Sequence, residues 1–310
     1  MNYKLFFQFV KDFKFPIQKI KDENYLNYIL DLFEEDMGTR TEWTKLEKFI
    51  DSNFSGNSEE YLVSLYKTRE DMIQFFKTSE KYQEFNTMKM DRFVIKDRPD
   101  VSSKNIYNCT NVGKVFLSID LKQANFQALK YSGVLSDYET YEDFARKFTD
   151  LEYFIRSKHI RQIVFGQCNP SRHITVEKYI INEIRKKIST ILPENYVLVF
   201  QAADECIWEI QEGKNIISPE KIKELDLGFS IKPDIFTLSG YTIEPKKSSD
   251  FYVKTHIEDN SQTLHCIPST YYPVVLKLWK GKELCDYDYW FEYEGLRAKF
   301  NEVLSLKKIE

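Results

Sequence analysis

No stretch of about eighteen consecutive apolar residues occurs in the 310-residue sequence, so no membrane-spanning helix is expected. The N-terminal MNYKLFFQFVKDF is interrupted by Gln8 and Lys11 before it reaches the length of a secretory signal core. Cysteine is sparse: Cys109, Cys168, Cys206, Cys266 and Cys285 are odd in number, widely spaced and free of any C-x-x-C, which argues against a disulfide framework or a zinc knuckle. These absences predict a soluble intracellular protein, cytoplasmic or viral, with no membrane partner. The sequons at Asn53 and Asn108 are then idle, and the closing KKIE, a dilysine retrieval pattern, has no membrane protein to act on.

Signature loops are missing as well. There is no Gly-x-x-x-x-Gly-Lys-Ser/Thr, no Gly-x-Gly-x-x-Gly and no His-Glu-x-x-His, and Gly113-Lys114 is followed by Val115. The histidines (His159, His173, His256, His265) are scattered, and no internal repeat or low-complexity segment is found. A formal charge of -4 excludes a strongly basic coat for nucleic acid but leaves room for a local basic groove.

What is present is apolar and aromatic: 24 Phe, 20 Tyr and 42% hydrophobic residues are enough for a large core. From Asn2 to about Arg98 apolar residues recur at helical spacing, as in Tyr25, Ile29, Leu32 and Phe33. RPDVSSKNIYNCTNVGK is loop-like and leads into VFLSI, an apolar β-branched run that ends at Asp120 before a helical LKQANFQALKY. Helical pattern follows over residues 140–164 and 175–192, broken by NPS. YVLVFQ and CIWEI then form a hairpin with Asp204 and Glu205 at its tip. Beyond Pro219 short strands alternate with a helix at residues 272–279 and a final helix at 296–307. The expected fold is α+β, with a helical N-terminal region (1–110), a catalytic core (111–214) and a mixed α+β C-terminal region (215–310).

A carboxylate at the end of a buried strand is costly to keep ionised unless a cation compensates, and a divalent metal is the strongest compensator. If the strands ending at Asp120 and Asp204 are neighbours, the two acids can bridge two Mg²⁺ ions, one activating a 3′-hydroxyl and one stabilising a leaving pyrophosphate. Between them lies IRSKHIRQIVFG, where Lys158, Arg161 and Phe165 share one helical face suited to a triphosphate and a base. Each feature also has a plainer reading: Asp120 as a helix cap, Asp204 and Glu205 as turn residues, and the basic helix as a solvated face with Phe165 in the core.

In this order the residues resemble the palm and fingers of family A DNA polymerases, the DNA polymerase I-like group. FLSIDLKQANFQALKYSG is similar to that family's first motif, with Asp120 and Gln123 matching and Lys122 in place of its Ser. RQIVFG is similar to the second motif's Lys-x-x-x-Phe-Gly, with Arg161 in the triphosphate-binding position and Phe165 in the base-stacking position. QAADECIWEI is similar to the third motif's Gln-Val-His-Asp-Glu, and NPSRHITVEKYIINEIRKKI looks like the helix before it. The resemblance spans residues 115–210 and implies a polymerase palm-like antiparallel sheet with reduced fingers, since 43 residues separate Arg161 from Asp204. The chain leaves no length for a proofreading exonuclease. Ala203 stands where the family has His at the primer end, and Asn125 where it has the Glu that crowds the sugar 2′ position, so ribonucleotides are admissible.

The resemblance implies a template-directed nucleotidyltransferase, a nucleic-acid polymerase taking nucleoside triphosphates and a nucleic-acid template and primer, with two Mg²⁺ ions or Mn²⁺. Asp120 and Asp204 would hold the metals, Glu205 would support them, Lys158 and Arg161 would hold the triphosphate, Phe165 would pack on the base, and Gln123 and Asn125 would line the sugar. The N-terminal helices would serve as a thumb. The first motif also has a reverse-transcriptase flavour in its Asp-x-x-x-x-Asn-Phe, although Ala203-Asp204-Glu205 fits family A better. The alternatives are a catalytically inactive, polymerase-derived nucleic-acid-binding or structural subunit, and a primase or RNA-synthesising variant. Small size suits a subunit of a larger complex, and richness in Lys, Asn, Ile, Tyr and Phe suits an AT-rich viral or phage genome.

Overall fold

The computed structural model describes residues 2–17, 20–211, 216–245, 249–293 and 295–310. The chain opens with helices α1 (Tyr3–Phe13), α2 (Glu23–Leu32), α3 (Glu34–Met37), α4 (Thr39–Phe54), α5 (Ser58–Thr78) and α6 (Glu80–Thr87). Strand β1 (Val115–Leu121) follows, then α7 (Ala124–Tyr131), the short helices α8 (Tyr141–Ala145), α9 (Glu152–Ile155) and α10 (Lys158–Gly166), and the long α11 (Pro170–Ser189). The hairpin β2 (Tyr196–Gln201) and β3 (Glu205–Ile210) precedes α12 (Pro219–Lys223), β4 (Ile231–Glu244), β5 (Asp250–His256), β6 (Gln262–His265), α13 (Tyr272–Trp279), β7 (Trp290–Tyr293), β8 (Leu296–Lys299) and β9 (Ser305–Ile309).

Helix starts follow local chemistry. Asn2, Asp22, Asn57 and Ser79 each accept first-turn N–H groups that would otherwise lack partners. Helix α11 begins five residues earlier than its apolar spacing suggests, because Pro170 occupies its first turn, where a missing N–H costs nothing. The N-terminal helices bury Phe6 and Phe9 against Trp43, at 5.5 and 5.2 Å between ring centroids. They reach the later helices through Tyr61 on Phe154 and Phe76 on Phe165. One buried core accordingly takes residues from all three expected regions, from Leu5 through Ile119 and Trp208 to Leu276. The expected boundary at residue 214 lies outside the described residues.

The main sheet is seven-stranded and antiparallel, in the order β2-β3-β1-β4-β5-β6, with β9 also on β4. Alternation along each strand separates two faces. Leu117, Ile119, Leu121, Cys206 and Trp208 join the core shared with the helices. Phe116, Phe200, Ile207, Phe236 and Leu238 form a second cluster on the other face, covered by Ile106 and Tyr107.

The C-terminal segment departs from expectation. Residues 296–307 are not a helix but parts of β8 and β9. Strand β4 is fourteen residues long, and β1 pairs only with residues 231–237, which leaves the backbone groups of residues 240–244 for β9. That ladder outweighs a composition that reads as helical. Gly240 is required where the two partners meet: a Cβ there would stand 2.8 Å from Val112 Cγ2 and 3.2 Å from Ile309 Cβ.

Candidate active site at the ends of β1 and β3

Asp120 is the direct ladder partner of Glu205 on β3 and of Lys232 on β4. Paired residues present their side chains on one face with Cα atoms about 4.5–5.5 Å apart, so Glu205, Asp120 and Lys232 form one row across three strands. The Asp204 carbonyl accepts the Leu121 N–H at 2.8 Å, fastening the hairpin tip to the end of β1, and the tip is closed by the Ala202 N–H to the Glu205 carbonyl at 2.8 Å.

Asp120 does not cap α7. The cap position belongs to Gln123, whose φ of 49° is left-handed and whose side chain makes no capping bond. A non-glycine residue there costs about 1–2 kcal/mol, and the turn it permits carries the chain from strand to helix within two residues. Asp120 thereby stays at the strand end.

The electrostatics are those of crowded acids. Burial raises the Asp120 carboxyl to about 6, with Asp204 adding to the rise and Lys232, Lys158 and Lys254 opposing it. Burial likewise raises Glu205 to about 7; Lys254 opposes, while Asp120, Asp204 and Asp234 add to it. Asp204 is exposed as a residue, yet desolvation first and Glu177 second push its carboxyl upward too. Under-neutralised carboxylate oxygens have the donor chemistry a hard divalent cation such as Mg²⁺ or Mn²⁺ prefers. The fit is one of chemistry rather than of a preformed cage: among the described residues no three His, Cys, Asp or Glu side chains converge to hold an ion.

The remaining expected residues divide. Gln123 lines a groove of about 970 Å³ together with Asp120, Lys122, Phe126, Glu142 and Phe229, and its Nε2 donates to Glu142 Oε1 at 3.1 Å. Lys158 is exposed at the start of α10, whose first turn is capped by Ser157, and its charge reaches Asp120. Arg161 is half-buried over the Tyr141 ring at 5.3 Å, its pKa lowered by burial first. Phe165 corrects the base-stacking expectation. It is fully buried, with Phe76 and Tyr141 edge-on at 6.0 and 5.9 Å, so its ring has no free face and belongs to the core. Asn125 is likewise engaged: its Nδ2 donates to Glu177 Oε1 at 2.5 Å and lies 3.4 Å from His173 Nδ1.

Behind the row stands an acid that sequence reasoning missed, Glu177. Glu177 and His173, both buried on α11, tie α7 to α11 through Asn125, and His173 Nε2 faces the Phe165 carbonyl at 3.1 Å. The HITVE spacing, which puts His and Glu on one helical face, was the available signal. On the sheet, Asp234 holds Lys254 at 2.6 Å and His256 at 2.9 Å. A second cavity, about 320 Å³, lies beside the tip and is lined by Arg98, Lys178, Gln201 and Ala203. The Gln201 Oε1 is buried without a hydrogen-bond partner among the described residues.

Comparison with known protein families, curated proteins and solved structures gives no match.

Proposed function

We propose that the chain is a nucleotidyltransferase of the polymerase type, with a palm-like sheet, acting on nucleoside triphosphates at the end of a nucleic-acid strand. The observation that carries this reading is the row of acids. Asp120 and Glu205 are ladder partners, Asp204 is bonded to the end of β1 through its carbonyl, and Asp120 lines a groove large enough for a nucleotide. Asp120 and Asp204 would hold the divalent ions, with Glu205 supporting them. Bound there, such ions supply activation of a 3′-hydroxyl and stabilisation of a leaving pyrophosphate. The protein's own part is to hold the acids on paired strands, to keep the groove beside them through Gln123 and Glu142, and to brace α7 through Asn125, His173 and Glu177.

Labelled dNTPs and NTPs, offered with primed and unprimed templates and Mg²⁺ or Mn²⁺, test the reading. Incorporation should fall at least about 100-fold in Asp120→Asn and Asp204→Asn, which keep the shape and remove the charge. Absence of incorporation by the wild type, or unchanged incorporation by Asp120→Asn, would overturn it. The engagement of Asn125 and Phe165 in internal contacts favours a second reading, a polymerase-derived binding or structural subunit. Nucleic-acid binding without incorporation would select it.

A further inference from the structure

Cations stand beside the acids on the sheet itself. Lys232 completes the row Glu205–Asp120–Lys232, is exposed, and forms no ion pair among the described residues. Two residues along β4, on the same face, Asp234 receives Lys254 Nζ at 2.6 Å through one oxygen and His256 Nδ1 at 2.9 Å through the other. Lys254 also lies 4.1 Å over the Phe236 ring, so its ammonium is held on three sides by a carboxylate, an aromatic face and the strand that carries it. Lys254 and Glu205 line one small cavity of about 170 Å³ with Lys104 and Tyr107, and Lys104 too is exposed and without an ion pair among the described residues. Lys232 and Lys254 are among the cations that oppose the rise of the Asp120 pKa.

We propose that this sheet-borne set, Lys232 with Lys254 in support, binds the polyphosphate of the nucleotide substrate, in place of Arg161 on α10. The inference rests on the nucleotidyltransferase reading for the identity of the ligand. Its physical basis is independent of that reading: a free ammonium and a fixed one flank acids that are themselves short of positive charge. An anion with several phosphate oxygens pairs with the ammonium groups while the acids keep their own cations. Arg161, by contrast, is half-buried over Tyr141.

The test is calorimetric binding of inorganic tripolyphosphate to the full chain at low salt, in EDTA so that no metal contributes. Lys232→Gln should weaken binding about ten-fold, an effect that shrinks as salt is added. Lys67→Gln, which removes another exposed charge, on α5, should leave binding unchanged. Lys254→Gln, monitored for folding by thermal unfolding, should weaken binding while Lys232 remains. Failure of the wild type to bind tripolyphosphate, or undiminished binding by Lys232→Gln, overturns the inference. So does an equal loss of affinity for a single-stranded oligonucleotide, which would assign Lys232 to a nucleic-acid backbone. The incorporation assay separates the two ideas. A wild type that incorporates nucleotides while Lys232→Gln binds tripolyphosphate normally removes this inference alone. A wild type that incorporates nothing while Lys232→Gln loses tripolyphosphate removes the polymerase reading and leaves the anion site in place.

Discussion

Replacing Glu205 by Gln is expected to flatten the pH dependence of stability of the metal-free protein. In the unfolded chain this carboxyl ionises near 4.5, and in the folded chain near 7. Between those values the folded state keeps a proton that the unfolded state has released, so this group's contribution to stability is greatest below about pH 4.5 and declines as pH rises through 7. The difference is worth about 3 kcal/mol, taking about 1.4 kcal/mol per pKa unit. Asp120, moved from 3.8 to about 6, and Asp12, moved by burial from 3.8 to about 7, act in the same direction. Asp120 and Glu205 titrate as a pair, so their contributions are less than additive. Urea unfolding in EDTA at pH 5 and pH 8 measures the slope; Glu205→Gln should lose about half of it, and Asp12→Asn should lose a separate share. Millimolar Mg²⁺ should restore stability at pH 8 in the wild type by binding only the folded, ionised acids, and should do less in Glu205→Gln. An unchanged slope in Glu205→Gln would refute the view that this carboxyl is desolvated among like charges.

Phe165→Ala should destabilise the fold by about 3–5 kcal/mol in denaturant titration, since a fully buried ring leaves a cavity against Phe76 and Tyr141. Asp288→Ala should cost about 3–5 kcal/mol, because the buried carboxylate accepts from Tyr28 Oη, from Lys277 Nζ at 3.0 Å and from the Cys285 N–H at 2.5 Å, leaving the half-buried Lys277 without its carboxylate; the loss should appear as a lowered melting temperature. Gly240→Ala should cost about 1–3 kcal/mol by forcing Val112 and the β9 end apart, with β9 amides exchanging faster in hydrogen-exchange measurements.

The hairpin and the strand ending at Asp120 were legible because both are apolar, β-branched and bounded by a polar tip. Their adjacency was not: that β3 lies against β1 is a fact of pairing between segments far apart in sequence. The plain reading of Phe165 as core prevailed over its motif position because helical spacing cannot say whether a face meets solvent or Phe76. Lys232 and Lys254 escaped notice for a related reason. A lysine in a strand looks like any solvated charge until the register puts it beside an acid on the next strand.

The register of β4 has a consequence for how the site comes into being. All of the resembling motifs lie before residue 211, yet β1 has β4 along its second edge, and β4 starts at Ile231. A chain ending after the hairpin would carry Asp120, Asp204 and Glu205 and expose a row of unpaired β1 backbone groups where Lys232 should stand. Closing that edge joins segments more than a hundred residues apart, so Lys232 reaches the acids only through a non-local pairing. The likeness to polymerase motifs thus sits in one third of the chain, while the strand that sets Lys232 beside Asp120 lies outside it.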